Sequence, residues 1–514
     1  MAQRAFTVNA GAAAALAAAA LTLLVLGTLA AVAFRAGGLG ALEAADWSAA
    51  RFTVAQAVVS AALSVLLAIP TARALHRRRF AGRGLLITLL GAPFLLPVIV
   101  AVMGILAIFG RAGVVNEAVA ALGLTRFDIY GPQGVVLAHV FFNLPLATRM
   151  LLHGWQAIPS ERFRLAASLG FTAADTARHL ERPMLRATVP GAWLAIFLVC
   201  LTSFAVALTL GGGPRATTIE LAIYQAFRFD FDLARAASLA LLQVAICMVA
   251  LVLTARVTLL GGFGAGLDRG WHLPPPGRWT GAQDTAVIAL AAAFLLAPLL
   301  AVLVRGLPGI ADLPPQVWQA AGRSLGVALA STALTIVLVL PLALAAPRRW
   351  IGLAATLPLI ASPLVLGTGL YLLLRPVAAP ASLALPVTVL VNAALALPFA
   401  YRTLLPAAQT LHADYDRLAT SLSLTGFARL RLLTLPRLAR PMGFSAGLAA
   451  ALSMGDLGVI TMFADTSNAT LPLALYQLMG AYRMADAAAA ATLLMGLSFA
   501  MFWAFDRVGS HVDP

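Results

Sequence analysis

Stretches of about twenty apolar residues recur along the whole of this chain, and nothing else in the sequence restricts its fold so strongly. About 20 helical residues cross the hydrocarbon core of a bilayer, and within lipid a helix satisfies every one of its own backbone polar groups. In order the runs are Ala10–Phe34, Phe52–Leu75, Gly84–Phe109, Gln133–Leu152, Val189–Leu210 and a sixth ending near Leu260, then 285–305, 323–346, 351–374, 385–405, 443–463 and 485–505. Only 11% of the 514 residues are charged, against ~25% in soluble domains. The pattern predicts an all-α polytopic membrane protein of about 12 transmembrane helices. The first run is longer than the apolar core of a signal peptide and reads as an uncleaved first span. Residues 261–284 replace apolar residues with glycine, proline and charge, which marks a linker between a first half, 1–260, and a second, 285–514.

All 35 basic residues are arginine, and the formal net charge is +15. Such a balance can serve nucleic-acid binding, but here its distribution follows the membrane. Across twelve spans, 24 of the 35 arginines fall on one side and 11 on the other, the bias of the positive-inside rule. That side is therefore cytoplasmic, and it holds both termini and the His76–Arg79 cluster. Without lysine there is no standard nucleotide-binding P-loop, whose ammonium must reach the phosphates. No CxxC or HExxH spacing and no Ser/His/Asp set stands out. Neither a metal, a cofactor, an enzymatic centre nor a nucleic-acid partner is expected. Cys200 and Cys247 lie inside apolar runs and read as small core residues.

Two polar, arginine-rich stretches interrupt the apolar pattern, Pro159–Arg186 and His412–Ala439, and they keep step. Arg164, Leu165 and Ala166 fall on Arg417, Leu418 and Ala419 at a spacing of 253 positions; Leu169 falls on Leu422 and Pro183 on Pro436 at the same spacing. Pro145 and Arg149 match Pro398 and Arg402 likewise, Ala222–Gln225 matches Ala474–Gln477 at 252, and Pro70 has a counterpart in Pro341. Each half then has six spans. Six is even, so the halves enter the membrane alike and form a parallel repeat about an axis along the membrane normal, with a translocation path between them.

In the first stretch Ser160 is placed to cap a short helix with Glu161 in its first turn. Gly170 suits a tight turn, and Thr172 with Asp175 has capping-box spacing for a second short helix. In the second stretch Asp414 and Asp416 take the capping role, Ser423 replaces the glycine, and no acid stands at the Asp175 position. The first loop is therefore expected to have the better-defined geometry. Each stretch predicts a helix-turn-helix on the membrane surface that exposes Leu, Phe and Arg to a partner.

These residues carry a resemblance. The pattern EAA-x3-G-x9-I-x-L-P marks the cytoplasmic loop of ABC importer permeases. This chain is similar to it at Arg164, Leu165, Ala166, Gly170, Leu180 and Pro183, and again at Arg417, Leu418, Ala419, Ser423, Leu433, Leu435 and Pro436. It departs in lacking the acid in both copies and the glycine in the second, and Arg182 stands at the first copy's leucine. The fused two-half layout resembles the permeases of iron, thiamine and related importers, and Leu210–Gln243, Gly455–Phe463 and Thr470–Ala490 resemble the thiamine importer permeases in particular.

The resemblance implies a type I ABC importer permease fold in a bacterial inner membrane, surrounded by lipid. It implies two copies of an ATPase subunit docked on the two loops, and a periplasmic binding protein that delivers thiamine or its phosphate esters. ATP hydrolysis in the separate subunits would drive alternating access. Importers of iron(III), a phosphonate or a polyamine share the layout. A secondary transporter is a further class, one expected to line its path with more acids than this chain offers. Asp456 falls in the eleventh run and Ser203 is its repeat partner, so both are candidate path residues. Asp456 either faces a cationic substrate or pairs with an arginine or backbone group for packing. Glu220, Asp230, Asp232, Arg215 and Arg228 read as solvated charges near the outer mouth, and Asn143 is expected to satisfy backbone groups freed by Pro145.

Overall fold

The computed structural model describes residues 10–36, 42–90, 96–211, 213–257, 278–345, 349–464 and 468–511. Among them helix is the only regular structure, and 11 helices are long and apolar enough to cross a membrane, or 12 if Trp350–Ile360 and Pro363–Leu374, bent by 93°, form one span. The chain is a multi-pass membrane protein, as its hydropathy requires.

The first half runs α1 (Ala10–Arg35), α2 (Ala44–Arg77), α3 (Arg83–Leu89), α4 (Val98–Phe109), α5 (Val114–Ala121), α6 (Pro132–Gln156), α7 (Ser160–Ser168), α8 (Ala173–Thr176), α9 (Arg182–Leu201), α10 (Ala205–Leu210), α11 (Ile219–Arg228) and α12 (Leu233–Val257). The second runs α13 (Arg278–Gly306), α14 (Pro315–Leu344), α15 (Arg349–Thr356), α16 (Pro363–Leu374), α17 (Ala384–Ser421), α18 (Gly426–Arg429), α19 (Leu435–Met454), α20 (Gly458–Phe463), α21 (Leu471–Gly480) and α22 (Met484–His511). Local chemistry sets the starts. Asp46 Oδ2 accepts from Glu43 N (2.9 Å) at the head of α2, and Ser362 Oγ accepts from Val365 N (3.1 Å) at the head of α16, where Pro363 occupies the first turn. At the same end of α2, buried Asp46 receives a fork from Arg235 of α12, Nη2 to Oδ1 at 2.8 Å and Nε to Oδ2 at 3.0 Å.

The repeat holds over the helices that follow each loop. Helices α9 and α10 map onto α19 and α20 with both ends 253 positions apart, and α11 maps onto α21 at 252 at its start. A hydrogen bond recurs with them: Thr53 Oγ1 of α2 accepts from Ile219 N, and Ser324 Oγ of α14 from Leu471 N, each at 2.8 Å.

Besides 351–374, bent as described, four runs differ from their simple reading. The runs 189–210 and 443–463 are broken, at 202–204 between α9 and α10 and at 455–457 between α19 and α20. Run 84–109 is divided between α3 and α4, with 91–95 outside the described residues, and run 385–405 is the N-terminal part of the 38-residue α17. Of the predicted linker 261–284, residues 261–277 lie outside the described residues and 278–284 open α13.

The halves are interlocked through their first helices. Helix α1 packs on α14 and α16, and α13 packs on α4 and α2. Ala14, Ala17, Ala18 and Leu21 of α1 share a core with Leu342, Ile351, Leu397 and Leu404 of the second half. The closest approaches need glycine. A Cβ on Gly104 of α4 would sit 2.6 Å from the Pro298 carbonyl oxygen of α13, and one on Gly369 of α16 would sit 2.6 Å from Thr28 of α1. Small residues that let helix backbones touch are the usual means of helix association in lipid.

Candidate docking loops and translocation path

The first loop is built from α7, a turn and α8. Helix α7 ends in a Schellman turn, in which Gly170 N donates to Ala167 O (3.1 Å) and Phe171 N to Ala166 O (2.9 Å), with Gly170 at φ +69°. The second loop makes the same turn. Ser423 N donates to Thr420 O (3.1 Å) and Leu424 N to Ala419 O (2.9 Å), with Ser423 at φ +51°. The loss of glycine therefore leaves the geometry intact and places a serine in the left-handed region, at a cost of about 1 kcal/mol.

After each turn comes one π-helical turn, Ala177–Glu181 and Leu430–Thr434, again 253 apart. The motif's proline accounts for it. Pro183 and Pro436 lack the N–H that the carbonyl four residues back would bind, and a wider turn absorbs the mismatch.

The outward faces match. Leu165 and Leu418 are 60% and 51% exposed, and Leu169 and Leu422 are exposed alongside them, while Ala166 and Ala419 are buried underneath. Arg164 is half-buried and Arg417 exposed; Leu180 and Leu433 are half-buried. Exposed apolar side chains at equivalent places on two polar loops are what a protein-docking surface requires.

The capping expectations fare unevenly. Thr172 and Asp175 do form the capping box of α8 (Asp175 N to Thr172 Oγ1, 3.3 Å; Thr172 N to Asp175 Oδ2, 3.0 Å). Ser160, however, is the first residue of α7 and not its cap, because Pro159 ends the preceding segment and fills the cap position; Ser160 Oγ instead accepts from Arg164 (3.3 Å). In the second copy α17 runs unbroken from the membrane into the loop, so Asp414 and Asp416 cap nothing. Asp416 pairs with Arg429 and with His412 Nδ1 (3.1 Å), and His412 Nε2 lies 3.1 Å from the Leu344 carbonyl at the end of α14. Thr425, at the position of Thr172, stands at the cap of α18 but makes no side-chain cap hydrogen bond. The first loop is tied down differently, by Glu181, which is buried against Arg73 (2.7 Å) and Arg77 (3.5 Å) of α2.

The two path candidates sit at the two helix breaks, Ser203 between α9 and α10 and Asp456 between α19 and α20. Non-helical backbone at membrane depth is tolerated where it is buried in protein or lines a cavity. Ser203 lines a cavity of about 200 Å³ between the halves, together with Pro97, His139, Phe142 and Asn143, and with Gly455, the neighbour of Asp456. Asp456 Oδ1 accepts from Gly458 N (3.1 Å) at the head of α20. One carboxylate oxygen thus serves the backbone.

No family model matches the chain. Curated relatives do. The thiamine transport system permease protein of Brucella abortus is 41% identical over 518 residues, covering 95% of this chain and 94% of that protein. That of Escherichia coli is 41% identical over 477 residues, covering 90% and 89%. The chain belongs to the thiamine transport system permease family. The sulfate transport system permease protein of Synechococcus elongatus is a more distant relative of this permease, 25% identical over 215 residues, which is 40% of the chain and 72% of that protein.

Several residues of the permease escape a linear reading. Glu220, read as a solvated charge, is fully buried on α11, whereas Arg215, Arg228, Asp230 and Asp232 are exposed as expected. Asn143 donates to the His139 carbonyl (2.8 Å), one turn away, and not to that of Phe141, which Pro145 leaves without its partner. His139 was given no role by the sequence, although a histidine inside an apolar span is itself a signal. Cys200 and Cys247 are free and buried. No cluster of His, Cys, Asp or Glu suited to a metal occurs among the described residues.

Proposed function

We propose that this chain forms the membrane pathway of an ATP-driven, binding-protein-dependent importer of thiamine or its phosphate esters. Its relatedness over nine-tenths and more of its length to permeases named for thiamine transport carries the reading. The two loops, centred on Leu165 and Leu169 and on Leu418 and Leu422, receive one ATPase subunit each. They face the cytoplasm with both termini, in a bacterial inner membrane, and a periplasmic binding protein meets the opposite end. The halves 1–260 and 285–514 rock about the path at Ser203 and Asp456, the permease itself hydrolysing nothing.

The test is reconstitution of the permease with its ATPase and binding protein in liposomes. ATP-dependent accumulation of radiolabelled thiamine is the expected result, without competition from iron(III), phosphonates or polyamines. Accumulation on an ion gradient with no ATPase present, or a cognate binding protein that does not bind thiamine, refutes it.

A further inference from the structure

The cavity at the first helix break is lined by a buried side chain whose polar atoms have no partner. His139 is 3% exposed, and neither of its ring nitrogens has a hydrogen-bond partner. Buried polar atoms are nearly always satisfied, and an unpartnered one is costly. The second half shows how the same place is satisfied. At the position of His139 stands Asn392, whose Nδ2 donates to Ser453 Oγ (3.0 Å), and Ser453 Oγ donates to Ser331 Oγ (3.1 Å). The first half replaces that chain with His139, Cys200 and Ser60. Ser60 Oγ is also buried without a partner, and Cys200 supplies only a weak sulfur acceptor, 3.4 Å from Asn143 Nδ2. One half closes this polar network; in the other, Ser60 and the cavity-lining His139 stay unpartnered.

That space is about 200 Å³, below the ~300–1,000 Å³ of sites that take a whole drug-sized molecule. Its walls are Phe142 and aliphatic side chains, with His139, Asn143 and Ser203 as the polar groups. An apolar slot with a few convergent polar groups is the form of a small-molecule site. A histidine ring offers one donor and one acceptor when neutral, so the complementary occupant presents both.

We infer that this cavity is a substrate-holding pocket at the first helix break, taking one heteroaromatic ring that bears hydrogen-bond donors and acceptors, with His139, Asn143 and Ser203 of the first half as its polar wall and Ala451, Leu452 and Gly455 of the second half closing it. The occupant rests on the function proposed above: the aminopyrimidine ring of thiamine has this chemistry. Substrate crossing between the halves pauses at this wall.

The test uses the full permease with its ATPase subunits in nanodiscs, without the binding protein, and equilibrium dialysis against radiolabelled thiamine. One saturable site per permease chain is expected. His139→Ala weakens it roughly 10-fold, the loss of a buried hydrogen-bonding partner. Ser203→Phe does the same by filling the space, and it carries the test if the first variant does not fold. Asn392→Ala, at the equivalent place, changes affinity by less than about 2-fold. Wild-type complex that transports thiamine yet shows no saturable binding, or binding that survives both first-half variants, overturns the pocket. Absence of thiamine transport by the wild type sinks the functional reading, and with it the occupant named here.

Discussion

The docking reading makes its most exposed claim at Leu165 and Leu418. Fully burying a leucine side chain contributes about 1.5–3 kcal/mol. Leu165 has 60% and Leu418 51% of its surface still outside the fold, so covering the remainder with a partner contributes roughly 1–2 kcal/mol at each loop. Leu→Ala at either site should therefore weaken ATPase association about 5–30-fold. The same change should leave the permease's own stability within about 0.5 kcal/mol, since an exposed side chain contributes little to the fold. The two loops are separate sites, so the double variant should lose close to the sum of the single losses. The assay is titration of labelled ATPase subunit onto permease in nanodiscs, with thermal unfolding of the permease alone as the parallel measurement. Undiminished association in the double variant refutes the docking surface. A loss matched by an equal fall in permease stability assigns the leucines to the fold instead.

Other outcomes follow from the same structure. Gly170→Arg places a long cation on an outward left-handed position with nothing within 4 Å of its Cβ; membrane insertion should be normal and ATPase coupling lost, as read by substrate-stimulated hydrolysis. Ser423→Gly should raise the stability of the second loop by about 1 kcal/mol by relieving the left-handed serine, measurable as slower amide exchange at Leu424. Gly104→Leu and Gly369→Leu should each destabilise the permease by at least ~2 kcal/mol through overpacking, with matching falls in unfolding temperature; tolerance of one and not the other contradicts the equivalence of the two contacts. Asp46→Ala removes the buried partner of Arg235 and leaves it Asp230 (3.4 Å) and Glu43 (3.6 Å); it should cost about 1–3 kcal/mol, seen as a lower unfolding temperature that Asp46→Glu partly restores.

Hydropathy made the spans, their number and the repeat legible, because apolar run length and spacing are properties of the linear chain. Continuity was not legible. The run containing Ser203 and its partner containing Asp456 are apolar on both sides of their short breaks, so a length count passes over them. Gly455 followed by Asp456 was the available signal, a helix breaker followed by a side chain able to cap the next turn. Ser423 looked like a defect because glycine is the usual residue at that turn, yet tertiary fit holds a serine there. Glu220 looked solvated because it was placed near the outer mouth with Arg215, Arg228, Asp230 and Asp232, and only the packing of α11 shows that it is buried. The ties of the loops were invisible for a similar reason: Glu181 and Arg73 are 108 positions apart.

The interlocking of the first helices sets a timetable for synthesis. The partner surface of α1 includes Gly369, which is translated 341 residues after Thr28. At roughly 5–20 residues per second, α1 waits on the order of 20–70 s beside lipid or insertion machinery before the helix it must touch exists. The first half thus leaves the ribosome with α1 placed against α12 but not yet against α14 or α16, and the second half, on arriving, completes both. A chain stopped between the halves would leave α1 against α12 but without the α14 and α16 surfaces that complete its packing.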